Sequence, residues 1–427
     1  MRSLSKREFL GSISATLVAS TFASLASIER LFAQVATVAP DALAADEEFW
    51  ESIRKRYTIT RDFIQLENGY YAATAEPVLD SYIGHVRDVN LISSYYMRTQ
   101  QADDKLAVRR ELARLLGCSE AELIITRNTT ESLDTVISGF DWKPGDEAVM
   151  AESDYGSMLD MFRLQARRHG LVNRVVSVPL HPQSDDEIVG VYEKAMTAKT
   201  RLLMVCHMIN ITGQILPVRK IVEMAHRRGV QVMVDGAHTF GQLDFAIADL
   251  GGCDYYASSL HKWLGAPLGS GILHVRKDRI KALWPMFADS SFADDDIRKL
   301  NHTGTHPAPT DLAIRDAIRF HDAIGIARKA ARLRHLQRYW TDKVRGVKGI
   351  VVNTPGAMER SCATANAGID GIAPAEVAKM LFDRYRVFTV AIDGAGVRGV
   401  RVTPQLFTTT RELDVLVDAL KALAAAQ

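Results

Sequence analysis

The chain is short of cysteine. Its four cysteines, Cys118, Cys206, Cys253 and Cys362, stand far apart and at no metal-ligand spacing. This excludes a disulfide framework and a zinc-type cluster. Three of them lie in apolar or strand-like stretches and read as small buried hydrophobes. The chain also lacks an excess of either charge: 52 Lys+Arg against 51 Asp+Glu leave a formal net charge of +1. Nothing in that balance argues for nucleic acid or an acidic membrane surface. There are no repeats, and no apolar run reaches the ~20 residues of a membrane span. What is present is length and core material. The 427 residues, 47% of them apolar, are enough for two or three structural units and a large core.

The first residues form a separate unit. Arg2, Lys6 and Arg7 make a basic start, and residues 13–26 are apolar or small without a charge. That order fits a secretory leader. Ser5-Lys6-Arg7-Glu8-Phe9-Leu10 resembles the twin-arginine export motif, with lysine in place of the first arginine. Ser24-Leu25-Ala26 and Ala42-Leu43-Ala44 are small-x-small cleavage candidates. We expect residues 1–44 to be an export signal that sends the folded, cofactor-loaded chain to the periplasm. The other reading is an amphipathic N-terminal helix of a cytoplasmic protein.

From about residue 120, strand-like and helix-like stretches alternate. Strands are expected at 123–126, 147–151, 175–178, 201–207, 231–234 and 255–258, with helices at 131–138, 158–168 and 218–228. Alternation of this kind predicts an α/β domain with a mainly parallel sheet. The strands are apolar throughout, as expected when both faces are covered. Beyond Pro307 helices dominate over 311–347, followed by short strands such as 399–402 and a last helix at 411–425. We expect a large α/β domain over 45–306 and a small C-terminal α+β domain over 307–427.

Chemistry concentrates after the strands. Ser258-Ser259-Leu260-His261-Lys262-Trp263-Leu264-Gly265-Ala266-Pro267 sets one lysine among uncharged residues. A desolvated lysine loses preference for its charged form, which is what an amine nucleophile needs. Schiff-base chemistry follows, with pyridoxal 5'-phosphate (PLP) as the aldehyde; an ordinary loop lysine is the plainer alternative. Asp235, ending the run Val232-Met233-Val234, sits where open α/β sheets bind ligands. There it could keep the pyridine nitrogen of PLP protonated, or simply cap a helix. His238 could hydrogen-bond the phenolic oxygen of the ring, or be a satisfied core histidine.

Thr126-Arg127-Asn128-Thr129-Thr130-Glu131 joins a strand to a helix. Hydroxyls and free amides there make an anion site, and a cap by Thr129 or Thr130 would also account for them. Tyr155, after another strand, could stack on a flat ring. Asn210 could donate to cofactor or substrate, or be a turn asparagine before Pro217.

In this order the pieces resemble the class V aminotransferase family of fold-type I PLP enzymes, over nearly everything past the leader. His261-Lys262-Trp263-Leu264-Gly265-Ala266-Pro267 is similar to the isopenicillin N epimerase-like branch, whose relatives include exported enzymes that tailor siderophore peptides such as pyoverdine. The resemblance implies that Lys262 forms the Schiff base and that Asp235 pairs with the pyridinium. It implies a ring-stacking place for Tyr155, which we also carry as a catalytic candidate. His238 stands at the phenolic oxygen, with Asn210 also on the cofactor. Thr129, Thr130, Ser259 and His261 match phosphate-binding positions. Gly304 and Thr305 match a segment lent by a neighbouring subunit, implying a homodimer with shared active sites. Arg401 matches the arginine that grips the substrate α-carboxylate, and Asn68 is placed with it on the substrate side. Residues 386–398 hold no cysteine where the family's desulfurases carry their nucleophile, which speaks against sulfur transfer.

Three outcomes share these residues: epimerisation, transamination and elimination. The expected activity is modification of an amino acid or a peptide-borne amino acid end, in the tailoring of a siderophore or other secondary metabolite. A lyase on free amino acids is the alternative, and a PLP-fold binding module is the non-enzymatic one.

Overall fold

The computed structural model describes residues 26–427; the basic start and most of the expected leader lie outside the described residues. A seven-stranded sheet forms the centre. Strand β1 (Ile64–Gln65) precedes it. Its own strands are β2 (Leu123–Thr126), β3 (Glu147–Ala151), β4 (Val172–Val176), β5 (Thr200–Cys206), β6 (Gln231–Asp235), β7 (Tyr255–Ser259) and β8 (Gly271–Val275). Their spatial order is β2-β8-β7-β6-β5-β3-β4. The neighbours from β7 through β4 run parallel, while β8 is antiparallel to both β2 and β7. Strands β2, β3, β7 and β8 are buried along their whole length. Helices on both faces give two separate apolar cores, one containing Val205, Val234 and Tyr256 and the other Met204, Met233 and Tyr255. Successive residues of one strand thus enter opposite cores, which explains the unbroken apolar runs.

The smaller unit is a four-stranded antiparallel sheet, order β12-β13-β10-β9, built from β9 (Ile350–Val352), β10 (Ala365–Ile369), β12 (Val390–Gly394) and β13 (Val397–Val402). Strand β11 (Val387–Phe388) pairs instead with β1. The segment at β1 therefore crosses into the C-terminal unit before the central sheet begins.

The structure moves both expected boundaries. Helix Ala308–Ile324 contributes Ile314, Ala317 and Ile318 to the core of the large sheet, so the smaller unit begins within helix Ile326–Val344 rather than at 307. Residues 26–44, expected in the leader, pack into the same large-domain core. Ile28 is wholly buried, and the Phe32 ring meets Phe49 edge-on at 5.1 Å. The indole of Trp50 donates to the carbonyl of Leu43 at 2.8 Å. The cleavage candidate at 42–44 thus lies in helix Pro40–Ala44, whose Leu43 and Ala44 are buried as packing surface while Ala42 is exposed. Among the described residues no helix is long and apolar enough to cross a membrane.

Candidate active site

The parallel strands deliver their carboxyl ends to one edge of the sheet, where a cavity of about 150 Å³ opens. Thr129, Thr130, Tyr155, Asn210, Asp235, His238, Ser259, His261 and Lys262 all line it. Nine side chains from five strand ends meet there. Gly304 does not; it lines a separate groove beside His302 and His306, and Thr305 is exposed. Asn68 and Arg401 lie buried beside the cavity without lining it.

The anion end is assembled by helix Thr129–Gly139. Its cap is Asn128, whose side chain accepts from the amide of Glu131 at 2.9 Å. This corrects the capping role considered for Thr129 and Thr130. With Asn128 in that place, the threonines are free for other work. The Thr129 amide and hydroxyl meet the Ser259 hydroxyl at 3.0 and 2.7 Å, tying the helix start to the end of β7. The first residue of β8 must be glycine, since a Cβ on Gly271 would stand 2.7 Å from the Asn128 backbone.

At the other end, Asp235 is buried and accepts from the Ala237 amide at 2.9 Å. It caps no helix. Burial pushes its carboxyl above the usual range, against the opposing pulls of the Ala237 amide and the Lys262 ammonium. Burial pushes the Lys262 amine down to about 8 and outweighs the attraction of Asp235. His238 connects the two. The Trp263 indole donates to His238 Nδ1 at 3.4 Å, so that nitrogen accepts and the proton sits on Nε2, 3.3 Å from Lys262 Nζ. Burial and the neighbouring Lys262 keep this imidazole neutral, holding it well below its ordinary value. His261 is likewise pushed down to about 4, chiefly by burial, and its Nδ1 is buried without a partner.

Sequence reasoning missed several lining residues. Tyr70 and Tyr71 come from the loop after β1, and Met158, Met208 and Leu133 carry no chemical signal. Cys206 was read only as a small buried hydrophobe; it is buried, yet it lines the cavity beside Asp235, its register partner on β6. Asp154 is a buried carboxyl pushed up to about 7, mainly by burial. Its position three residues past the end of β3 was the only available sign.

Comparison with known proteins agrees with this geometry. The family model for aminotransferase class-V matches residues 72–398, and the chain belongs to that family. It is 30% identical to the isopenicillin N epimerase of Amycolatopsis lactamdurans, over 88% of this chain and 98% of that one. The isopenicillin N epimerase of Streptomyces clavuligerus is 28% identical over 88% of this chain and 98% of its own. Among solved structures, the apo cysteine desulfurase of Thermococcus onnurineus NA1 superposes with a TM-score of 0.78 at 20% identity, covering 88% of this chain and 98% of that one. The cystine C–S lyase C-DES, in complex with its product cysteine persulfide, gives 0.75 at 21% identity, covering 84% and 98%. The fold is therefore that of fold-type I PLP enzymes.

The family's cofactor is pyridoxal 5'-phosphate, and the cavity suits it. Thr129, Thr130 and Ser259 offer hydroxyls at a helix start for a phosphate, and Asp235 offers a carboxylate for a ring nitrogen. Lys262 offers an amine for the aldehyde. The unpartnered Nδ1 of His261 is a further polar group awaiting a ligand.

Proposed function

We propose that this protein is a PLP-dependent enzyme acting at the α-amino group and Cα of an amino acid or of a peptide-borne amino acid end, of epimerase or aminotransferase type. One observation carries the reading: Lys262, with its amine pushed down to about 8, shares a cavity with Asp235 and a neutral, oriented His238. When bound, PLP supplies an electron sink for charge that develops at Cα. The chain supplies the rest. Asp235 would hold a proton on the ring nitrogen, and His238 Nε2 would donate to the phenolic oxygen. Nζ of Lys262 takes the Cα proton from one face. Tyr155, at the cavity edge and 36% exposed, is our candidate for ring stacking and for proton delivery to the opposite face.

A lyase is the second reading, favoured by the likeness to desulfurases, among them a probable cysteine desulfurase of Halalkalibacterium halodurans at 26% identity over 66% of this chain. The thiols speak against a persulfide carrier. Burial raises Cys118 and Cys253 to about 12 and Cys362 to about 11, and lifts Cys206 well above its ordinary value. None is held as a thiolate.

Export through the twin-arginine route, siderophore tailoring and a homodimer completed by Gly304 and Thr305 of a second copy belong to the same proposal. Their support is the leader motif, the branch resemblance and the placement of Gly304 away from the cavity of its own chain. The deciding experiment incubates PLP-loaded protein with amino acids and amino-terminal peptides in deuterated water. Deuterium at Cα with inverted chirality is the expected result. A keto product moves the assignment to transamination, and pyruvate with ammonia moves it to elimination.

A further inference from the structure

Arg401 already has a carboxylate partner. Its Nε and Nη2 donate to the two carboxylate oxygens of Glu67 at 3.1 and 2.7 Å, and Nη1 donates to the Asn210 carbonyl at 3.1 Å. The arginine is wholly buried and Glu67 is 5% exposed. The chain from Glu67 to Tyr70 is built around this guanidinium. A Cβ on Gly69 would stand 3.3 Å from its Cζ, so glycine is what lets the backbone approach. The Tyr70 ring lies 4.0 Å from Cζ, and the Tyr70 amide donates to Glu67 Oε1 at 2.8 Å. Thr403 Oγ1 accepts from the amides of Asn68 and Gly69 at 2.7 and 3.0 Å, fixing the segment to β13's end.

A guanidinium fork matches one carboxylate in two-point contact. Here Glu67 supplies it, and neither member of the pair lines the cavity, although Tyr70 and Asn210 do. We propose that Glu67 is a specificity-determining residue. It withholds Arg401 from the substrate, so that the site takes amines whose adjacent carboxyl is masked as an amide or peptide bond, and discriminates against free α-amino acids. This rests on reading the cavity as a PLP amine site.

The physical reason is a balance of charge. A free α-carboxylate entering the cavity meets a neutral pair rather than an open cation. To use the fork it must evict Glu67, which strands a buried carboxylate without a counterion. A carboxamide brings no charge and needs no eviction. Specificity here comes from closing a favourable contact to the competitor.

The test is a visible-absorbance titration of PLP-loaded protein with L-alanine and with L-alaninamide. The wild type is expected to bind the amide more tightly by about tenfold or more. Glu67→Ala opens the fork and should improve L-alanine binding by about tenfold or more, with alaninamide changed little. Glu67→Gln keeps the shape and should shift in the same direction. Formate should raise the melting temperature of Glu67→Ala and leave that of the wild type unmoved, which shows the vacant fork in a folded protein. Wild-type binding of L-alanine as tight as that of the amide overturns the proposal. So does the lack of any gain in both variants. Absence of lysine-bound cofactor absorbance in the wild type would instead remove the reading of the cavity itself.

Discussion

Burial depresses the amines of Lys262 and Lys329, and the two lysines do opposite things with it. Lys262 is partly buried, faces a cavity, and has Asp235 and His238 around its amine. Lys329 is buried on helix Ile326–Val344, and its amine donates to the backbone carbonyl of Trp263, the residue next to Lys262. Burial depresses both, to about 8 and about 7. A lowered amine is therefore not by itself the mark of a nucleophile. What separates them is access. Lys262 opens onto space shaped for a ligand, whereas Lys329 spends its amine on the loop that carries Lys262.

The largest expected break in this comparison is Lys262→Ala. It should abolish covalent capture of PLP, seen as loss of the lysine-bound absorbance, and cut turnover by roughly 10²–10⁴-fold through loss of the proton carrier. Retained covalent capture would overturn the assignment. Lys329→Met should leave capture intact.

A sharper version uses pH. Capture of PLP by apoprotein needs the neutral amine of Lys262, so its rate should climb about tenfold per pH unit and level off near pH 8. A plateau delayed to the usual lysine range would mean the amine is not desolvated.

The smallest effect concerns stability. Lys329 holds its proton less well folded than unfolded, so the unfolded chain binds more protons between about 7 and the ordinary lysine value. The contribution of Lys329 to stability therefore rises as pH rises through that window. Denaturant melts at a series of pH values should show this rise in the wild type and not in Lys329→Met. At high pH that variant should be less stable by about 1–3 kcal/mol, the cost of an unpartnered Trp263 carbonyl. Parallel curves for the two proteins would show that Lys329 is not desolvated.

The sheet was largely legible because its strands are short, apolar and bounded by turn residues. Leu123–Thr126 and Glu147–Ala151 fell where expected, β6 ran one residue longer at its end, and β5 was shifted by one residue at both ends. Strand β4 was placed late, since its edge position leaves Val172 and Val175 exposed and weakens the apolar signal. The antiparallel β8 was missed because its Gly271 start follows the Gly/Pro-rich turn after Lys262 and reads as loop. Helix Glu76–Thr99 was missed for a related reason: only Pro77, Val78 and Tyr96 are buried, and exposed Leu79, Ile83, Val86, Leu91 and Tyr95 blur the apolar face. Asn128 was overlooked as a cap because the two threonines after it are equally good cap residues, and only backbone geometry chooses among them.

The sequence by itself determined the chemistry: which strand ends carry hydroxyls, an acid, an imidazole and a lysine. These residue types follow strand ends locally, and local order is what a sequence records. Only the tertiary structure decided which of them meet and which are already engaged. Glu67 and Arg401 are far apart along the chain and touch because β13's end returns beside the segment after β1. Burial then keeps His238 neutral and depresses the two lysines. Desolvation and ion pairing depend on everything that surrounds a group in space, and no stretch of sequence contains that.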